Sequence, residues 1–207
     1  MDNYNDIEQL FVHEVYNDIA EDFDDTRYCV WNFVKAFLLN KDHLYGIDIG
    51  CGNGKNMLHD NMVGIDMCDK LLNISSTKNK SVIRASCCRL PFQSNVFDYA
   101  MSISVFHHLG SADRRLLGIH EMIRVVKPKG HCVFNMWSVE NQDRRSFTPG
   151  DNFVSWHRKK GTKRVLNRFY HIYDYKMIQE LIDTIEGVYD VELKNERGNW
   201  VVNMKKK

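Results

Sequence analysis

The run Gly46-Ile47-Asp48-Ile49-Gly50-Cys51-Gly52-Asn53-Gly54-Lys55 sets an acid at the end of a short apolar segment, directly before a glycine-dense turn. Glycine permits positive φ and lets a ligand approach the backbone without a Cβ in the way. Gly50, Gly52 and Gly54 are spaced Gly-x-Gly-x-Gly. That spacing misses the Gly-x-Gly-x-x-Gly of a dinucleotide site, and no Lys-Ser/Thr of a P-loop follows. Asp48 would repel a phosphate and suits a cationic ligand end. S-adenosylmethionine carries an ammonium, a sulfonium and no phosphate, which makes it the expected cofactor. Asp66, closing the segment Val63-Gly64-Ile65-Asp66, is positioned to accept from two ribose hydroxyls. Ser86 and Ser102, at two later strand ends, complete the expected cofactor set.

The elements that must hold these residues alternate. Strands are expected at 44–49, 62–66, 81–84, 97–103 and 131–136, and a helix at 112–126. Lys127-Pro128-Lys129-Gly130 stops that helix and turns into the next strand. The rhythm predicts an α/β fold with a doubly wound, mostly parallel sheet. Apolar spacing predicts N-terminal helices at 6–23 and 31–39. After Trp137 the rhythm breaks. A basic stretch precedes a strand at 169–173, a helix near 175–185 and two closing strands at 189–193 and 199–204. The chain is thus expected to form one domain over 1–207. An N-terminal helical region (1–43) leads into a cofactor core (44–137), followed by a basic insertion lying as a long loop over the active face (138–168) and a closing segment (169–207).

Composition narrows the class. At 207 residues, 43% hydrophobic and 27% charged, the chain is ordinary globular material. No apolar run reaches the roughly 20 residues that cross a bilayer, and the acidic N-terminus is unlike a signal peptide. Six cysteines without a Cys-x-x-Cys pair indicate neither a metal site nor a disulfide framework, so a reduced, intracellular protein is expected. The net charge of +1 conceals an asymmetry. Residues 1–25 hold nine acids and no Lys or Arg, whereas residues 144–168 hold eight Lys/Arg against Asp151 alone. Such a run is either a solvated face or a phosphate-contacting surface.

The strand ends Ser86-Cys87-Cys88-Arg89-Leu90-Pro91-Phe92 and Ser102-Ile103-Ser104-Val105-Phe106-His107-His108 resemble class I S-adenosylmethionine-dependent methyltransferases over about residues 44–137. That resemblance implies a seven-stranded sheet whose last strand runs antiparallel. In such enzymes an Asp that reaches the adenine amino group usually occupies the position of Ser86. A hydroxyl there forfeits a charge-assisted bond worth ~1 kcal/mol.

Further segments are similar to the eukaryotic tRNA wobble-uridine carboxymethyl methyltransferases. They are Val12-His13-Glu14-Val15-Tyr16, Ile19-Ala20, Thr26-Arg27-Tyr28 with Trp31, Val105-Phe106-His107-His108, Arg114-Arg115, Phe153-Val154-Ser155-Trp156-His157, Arg168-Phe169-Tyr170-His171 and Gly198-Asn199-Trp200. Ser155 departs from the family's usual Pro. The resemblance implies methylation of the carboxylate of 5-carboxymethyluridine at position 34 of the tRNA anticodon loop. It also implies a small zinc-binding activator protein as heterodimer partner, docked near Val82 and Ile83, and a cytoplasmic location with the nucleus as a second compartment. Arg27, His107 and Arg168 are then expected around the modified uridine as the catalytic set, with His108 open as either the active or the core twin of His107. Tyr28, Trp156, His157, His171 and Asn199 are expected to contact RNA or substrate. So are Arg158, Lys159, Lys160, Lys163 and Arg164, which form a phosphate stripe. Two readings compete: a methyltransferase of small molecules, and a catalytically silent RNA-binding scaffold on the same fold.

Overall fold

The computed structural model describes residues 3–27, 29–142, 146–157 and 164–207. Strands β1 (Gly46–Ile49), β2 (Met62–Asp66), β3 (Ser81–Arg84), β4 (Phe97–Ile103) and β5 (Val126–Trp137) run parallel, with β8 (Val188–Asn195) and β9 (Asn199–Lys206) added antiparallel at one side. The sheet order is β3-β2-β1-β4-β5-β9-β8, so the chain reverses direction beside β1 and opens a crevice at the strand ends.

Period-two alternation sends side chains to opposite faces and builds two cores. Ile47, Ile49, Phe97, Ala100, Cys132, Phe134 and Val202 pack with α5 (Ala112–Val125) and α6 (Tyr175–Asp183). Met62, Tyr99, Met101, Val133 and Val201 pack with α3 (Asn32–Leu38) and α4 (Asp69–Thr77). Side-chain oxygens of Ser111 and Asp174 cap α5 and α6 by accepting from the third backbone N–H beyond them. Lys127–Gly130 loops out of β5, because Val126 pairs with Phe97 and His131 with Tyr99. The expected turn is therefore a bulge inside one longer strand.

The N-terminal segment is one helical rod over Asn3–Thr26, made of α1 (Asn3–Glu8), a π-helical turn (Gln9–His13) and α2 (Glu14–Thr26). Ala20 packs on Cys68 and Leu71 at the start of α4, while Val15 and Ile19 pack on Leu166. The rod thereby lies across the crevice.

The segment expected to be a long loop contains an antiparallel ribbon, β6 (Gly150–His157) with β7 (Val165–Ile172). Its inward face alternates Val154, Trp156, Leu166, Arg168, Tyr170 and Ile172, in register Val154–Arg168 and Trp156–Leu166. The basic residues that dominate this stretch hide that apolar alternation from a compositional reading.

Candidate active site

A cleft of about 810 Å³ opens at the strand ends between the glycine turn, the N-terminal rod and the ribbon. Gly50 and Gly52 form its floor, Asp66, Met67, Cys68, Leu71, Ala85 and Cys87 line one end, and Arg27, Trp137, Arg168 and Tyr170 line the other. The turn holds itself open through its backbone. Gly50 and Cys51 N–H both donate to the Ile65 carbonyl, at 2.7 and 2.8 Å. The Asp66 carboxylate accepts from Gly52 N–H at 2.8 Å and Cys68 N–H at 2.9 Å. Burial raises the Asp66 pKa in spite of those bonds.

Asp48 is enclosed beneath the turn rather than exposed in the cleft wall, contrary to its expected direct contact. Both its carboxylate oxygens are buried without a hydrogen-bond partner among the described residues. Burial, and secondarily Asp66, push its pKa up to about 8, against the pull of Lys55, which does line the cleft. A Cβ on Gly52 would make only an ordinary van der Waals contact, 3.6 Å from a Phe23 ring carbon. The backbone approach over Gly50 and Gly52 and the Asp66 carboxylate at the other end of the cleft suit a ligand with an amino-acid end and a nucleoside end, as S-adenosylmethionine has.

The opposite end is cationic and aromatic. Arg168 is 3% exposed, and its guanidinium lies 4.8 Å from the Trp156 ring centroid and 5.2 Å from that of Tyr170. It donates through Nη1 to the Tyr170 hydroxyl at 2.7 Å and has the Tyr16 hydroxyl beside it, while its buried Nε finds no hydrogen-bond partner among the described residues. Arg27 lies over Trp156 at 5.6 Å and over Phe23 at 5.5 Å. Trp156 itself packs with Phe23, and its buried Nε1 is unpartnered among the described residues.

The two histidines divide. His108 lines the cleft, whereas His107, expected in the catalytic set, is fully buried behind it and stacked on Tyr170. The His107 Nδ1 accepts from the Trp137 backbone N–H at 3.2 Å. Burial, then His108 and Arg168, drive the His107 pKa well down. His107 is thus a packed support for the wall.

Other expected residues also stand back from the cleft. Ser102 is buried and ties β4 to β1 by donating to the Ile49 carbonyl at 3.0 Å. Ser86 accepts from Cys88 N–H at 3.2 Å within its own turn. Gly54 has φ +73, and a Cβ there would meet Ser75 Oγ at 2.4 Å, so this glycine serves packing. His171 pairs with Asp151 at 2.6 Å on the ribbon's other face. His157 and Arg164 are exposed near the ribbon's far end. Asn199 does line the cleft, where its Oδ1 accepts from Asn135 Nδ2 at 2.8 Å. Tyr28, Arg158, Lys159, Lys160 and Lys163 lie outside the described residues.

Several wall residues escape sequence reasoning. Glu8, 3% exposed, takes a bidentate pair from Arg114 at 2.6 and 2.7 Å and accepts from Gly110 N–H at 2.8 Å, fixing the rod to the start of α5. Ser104 sits in the cleft wall at φ +62, a conformation rare for a non-glycine residue, held there by Asn135 Oδ1 accepting from its N–H at 2.9 Å. Tyr16 lies in an island noted in the sequence, yet nothing local reveals its partner.

Comparison with known proteins agrees with this geometry. A methyltransferase domain model matches residues 47–134. The methyltransferase complexed with the Trm112 activator of Haloferax volcanii superposes with a TM-score of 0.65 at 12% identity, over 95% of this chain and 98% of that one. The sheet order and the turn after β1 define the class: an S-adenosylmethionine-dependent methyltransferase of the Rossmann-like class I fold.

Within that class the sequence similarity is specific. The tRNA (carboxymethyluridine(34)-5-O)-methyltransferase of Schizosaccharomyces pombe is 36% identical over 94% of this chain and 96% of its own length. That of Saccharomyces cerevisiae is 35% identical over 72% of this chain and 57% of its own. The chain belongs to the tRNA (carboxymethyluridine(34)-5-O)-methyltransferase family.

Proposed function

We propose that this enzyme methylates the carboxylate of 5-carboxymethyluridine at wobble position 34 of tRNA, forming the methyl ester, in company with a small zinc-binding activator subunit. The observation that carries the reading is Arg168. It is a buried guanidinium at the cleft wall whose polar neighbours are tyrosine hydroxyls, and among the described residues no carboxylate pairs with it. A buried cation is costly without a counter-charge, and an anionic substrate group supplies one.

The chemistry asks little proton transfer of the protein. A carboxylate with a pKa near 4 is already ionised at neutral pH, so no general base is needed. S-adenosylmethionine, when bound, supplies an electrophilic methyl group on a sulfonium. The residues' work is to bind and align, which is worth several kcal/mol of barrier. Arg168 and Arg27 orient the carboxylate and adjoining phosphate. His108, driven to a pKa of about 3 chiefly by burial, stays neutral and holds Tyr16.

For the activator we favour the β3 edge of the sheet, where Ile83 is 43% exposed. The Haloferax relative of this fold is itself complexed with such an activator. We place the protein in the cytoplasm. The test is mass spectrometry of wobble nucleosides after tRNA is incubated with labelled cofactor and the protein, alone and co-expressed with the activator. Label in the methyl ester of 5-carboxymethyluridine supports the reading. Label elsewhere, or none with the activator present, refutes it, and full activity of the lone chain refutes the activator's part.

A further inference from the structure

Cys87 and Cys88 sit immediately beyond β3, in a turn closed by Arg89 N–H donating to the Ser86 carbonyl at 3.1 Å. The two thiols are near enough to perturb one another's titration. Cys87 is part of the cleft wall at the end bounded by Asp66, Met67, Cys68 and Ala85, the end suited to a nucleoside. Both cysteines are free and only partly buried. The Cys87 thiol, and then the Arg114 guanidinium, lower the Cys88 pKa against the effect of burial, and the Cys88 Sγ–H donates to the Arg114 carbonyl at 3.5 Å. Neither the cofactor site nor the proposed methyl transfer uses this pair.

Donor count decides what the pair can take. Zinc requires about four ligands, and among the described residues no group of three or more Cys, His, Asp or Glu side chains could hold a metal ion. A soft centre that needs only two sulfurs is different. An organic trivalent arsenical uses one valence on its carbon and has two left for sulfur. We propose that Cys87 and Cys88 form a dithiol site for trivalent arsenicals in the nucleoside wall of the cofactor cleft, and that its occupation excludes the cofactor. With phenylarsine oxide the step is a substitution without redox change. Two As–S bonds form, the arsenic–oxygen bonds break, and both thiol protons leave with the oxygen as one water. The product sets a phenyl-bearing arsenic against Cys87, in the space the nucleoside would fill.

The inference rests on the cofactor assignment and is independent of the tRNA reading, so the experiment needs no tRNA. The full chain is treated with phenylarsine oxide, and S-adenosylhomocysteine binding is followed by calorimetry, with intact-mass and free-thiol measurements alongside. The expected result is one adduct per chain, loss of two titratable thiols, and S-adenosylhomocysteine affinity weakened about tenfold or more. A dithiol should reverse the adduct and a monothiol should not. Cys88→Ser, which leaves the cleft wall itself unaltered, should lose the dithiol-specific adduct while its thermal unfolding shows it folded. Zinc at the same concentration should leave S-adenosylhomocysteine binding unchanged. An equally tight adduct on folded Cys88→Ser, or unchanged S-adenosylhomocysteine affinity in the wild-type adduct, would overturn the proposal.

Discussion

The hydroxyl of Tyr16 lies 2.9 Å from Nε2 of His108, and the opposite ring nitrogen, Nδ1, lies 2.6 Å from the Phe169 carbonyl oxygen. A carbonyl can only accept, so the imidazole proton is on Nδ1 and Nε2 accepts from Tyr16. The Tyr16 proton is thereby committed, which leaves its oxygen with only lone pairs to turn toward the neighbouring Arg168 guanidinium. Three elements distant in sequence, the rod, the turn after β4 and the ribbon, meet in this arrangement. Its effect is to hold Arg168 in place with Nε unspent.

Tyr16→Phe should therefore impair methyl transfer more than cofactor binding. The substitution leaves His108 Nε2 without a donor and Arg168 without one acceptor, a loss of ~1–3 kcal/mol. We expect kcat on tRNA to fall about tenfold or more, with S-adenosylhomocysteine affinity close to wild type by calorimetry. Equal loss of both would show that Tyr16 serves the cofactor instead.

The glycine turn offers a discriminating pair. Gly50 has φ +75, and a Cβ there would approach Val105 Cγ2 to 2.3 Å, so Gly50→Ala should fail to fold stably. Gly52 has φ +55 with its nearest neighbour at 3.6 Å. Gly52→Ala then carries mainly backbone strain of about 1 kcal/mol, equivalent to a few degrees of Tm. Its new methyl group nevertheless occupies the approach to the floor. The variant should unfold cooperatively and bind S-adenosylhomocysteine poorly; retained affinity would mean the ligand lies elsewhere.

Stability should respond to pH through Asp48. Its native pKa, about 8, exceeds that of an unfolded aspartate, near 4, so the native state keeps a proton that the unfolded chain has released. Stability from this source is complete below the unfolded value and is lost as pH rises through the native one. The histidines act oppositely: His107 and His108 are depressed when folded, so protonation of the unfolded chain costs stability as pH falls below about 6.5. Between about pH 7 and 8 the histidines, His13, His131 and His171 included, still contribute a small opposing slope, which wild type and Asp48→Asn share. Urea unfolding should show wild type losing about 1 kcal/mol over that interval relative to Asp48→Asn. Parallel curves would rule out the buried, protonated acid.

The βα core was legible because its signals are local. β2, β3 and β4 coincide with apolar runs bounded by turn residues, and the glycine turn announces the strand before it. The site was legible only in part, because its selections are made at long range. His107 and His108 are adjacent, and the choice between them is made by Tyr16 and Phe169, 92 and 61 residues away in sequence. Glu8 finds Arg114 across 106 residues. Asp48 read as a cleft acid because strand alternation alone does not reveal how completely α3, α4 and the turn enclose it.

The ribbon directs the last prediction. β6 ends at His157 and β7 begins at Val165, so the sequence Arg158-Lys159-Lys160-Gly161-Thr162-Lys163-Arg164 joins two strands whose inner face already lines the site. Trp156, next to the end of β6, and Arg168, midway along β7, contact each other. A nucleotide held at Arg168 would bring its neighbouring phosphates along the same ribbon. Each phosphate neutralised by Lys or Arg on single-stranded RNA steepens the salt dependence of binding by about 0.7 in log–log slope. Replacing these five basic residues by Gln or Ser should weaken binding of tRNAs of any sequence, lower that slope by about 1–3, and leave S-adenosylhomocysteine affinity unchanged. An unaltered slope would make the charges a solvated surface and move the phosphate contacts to Arg27 and the rest of the cleft rim.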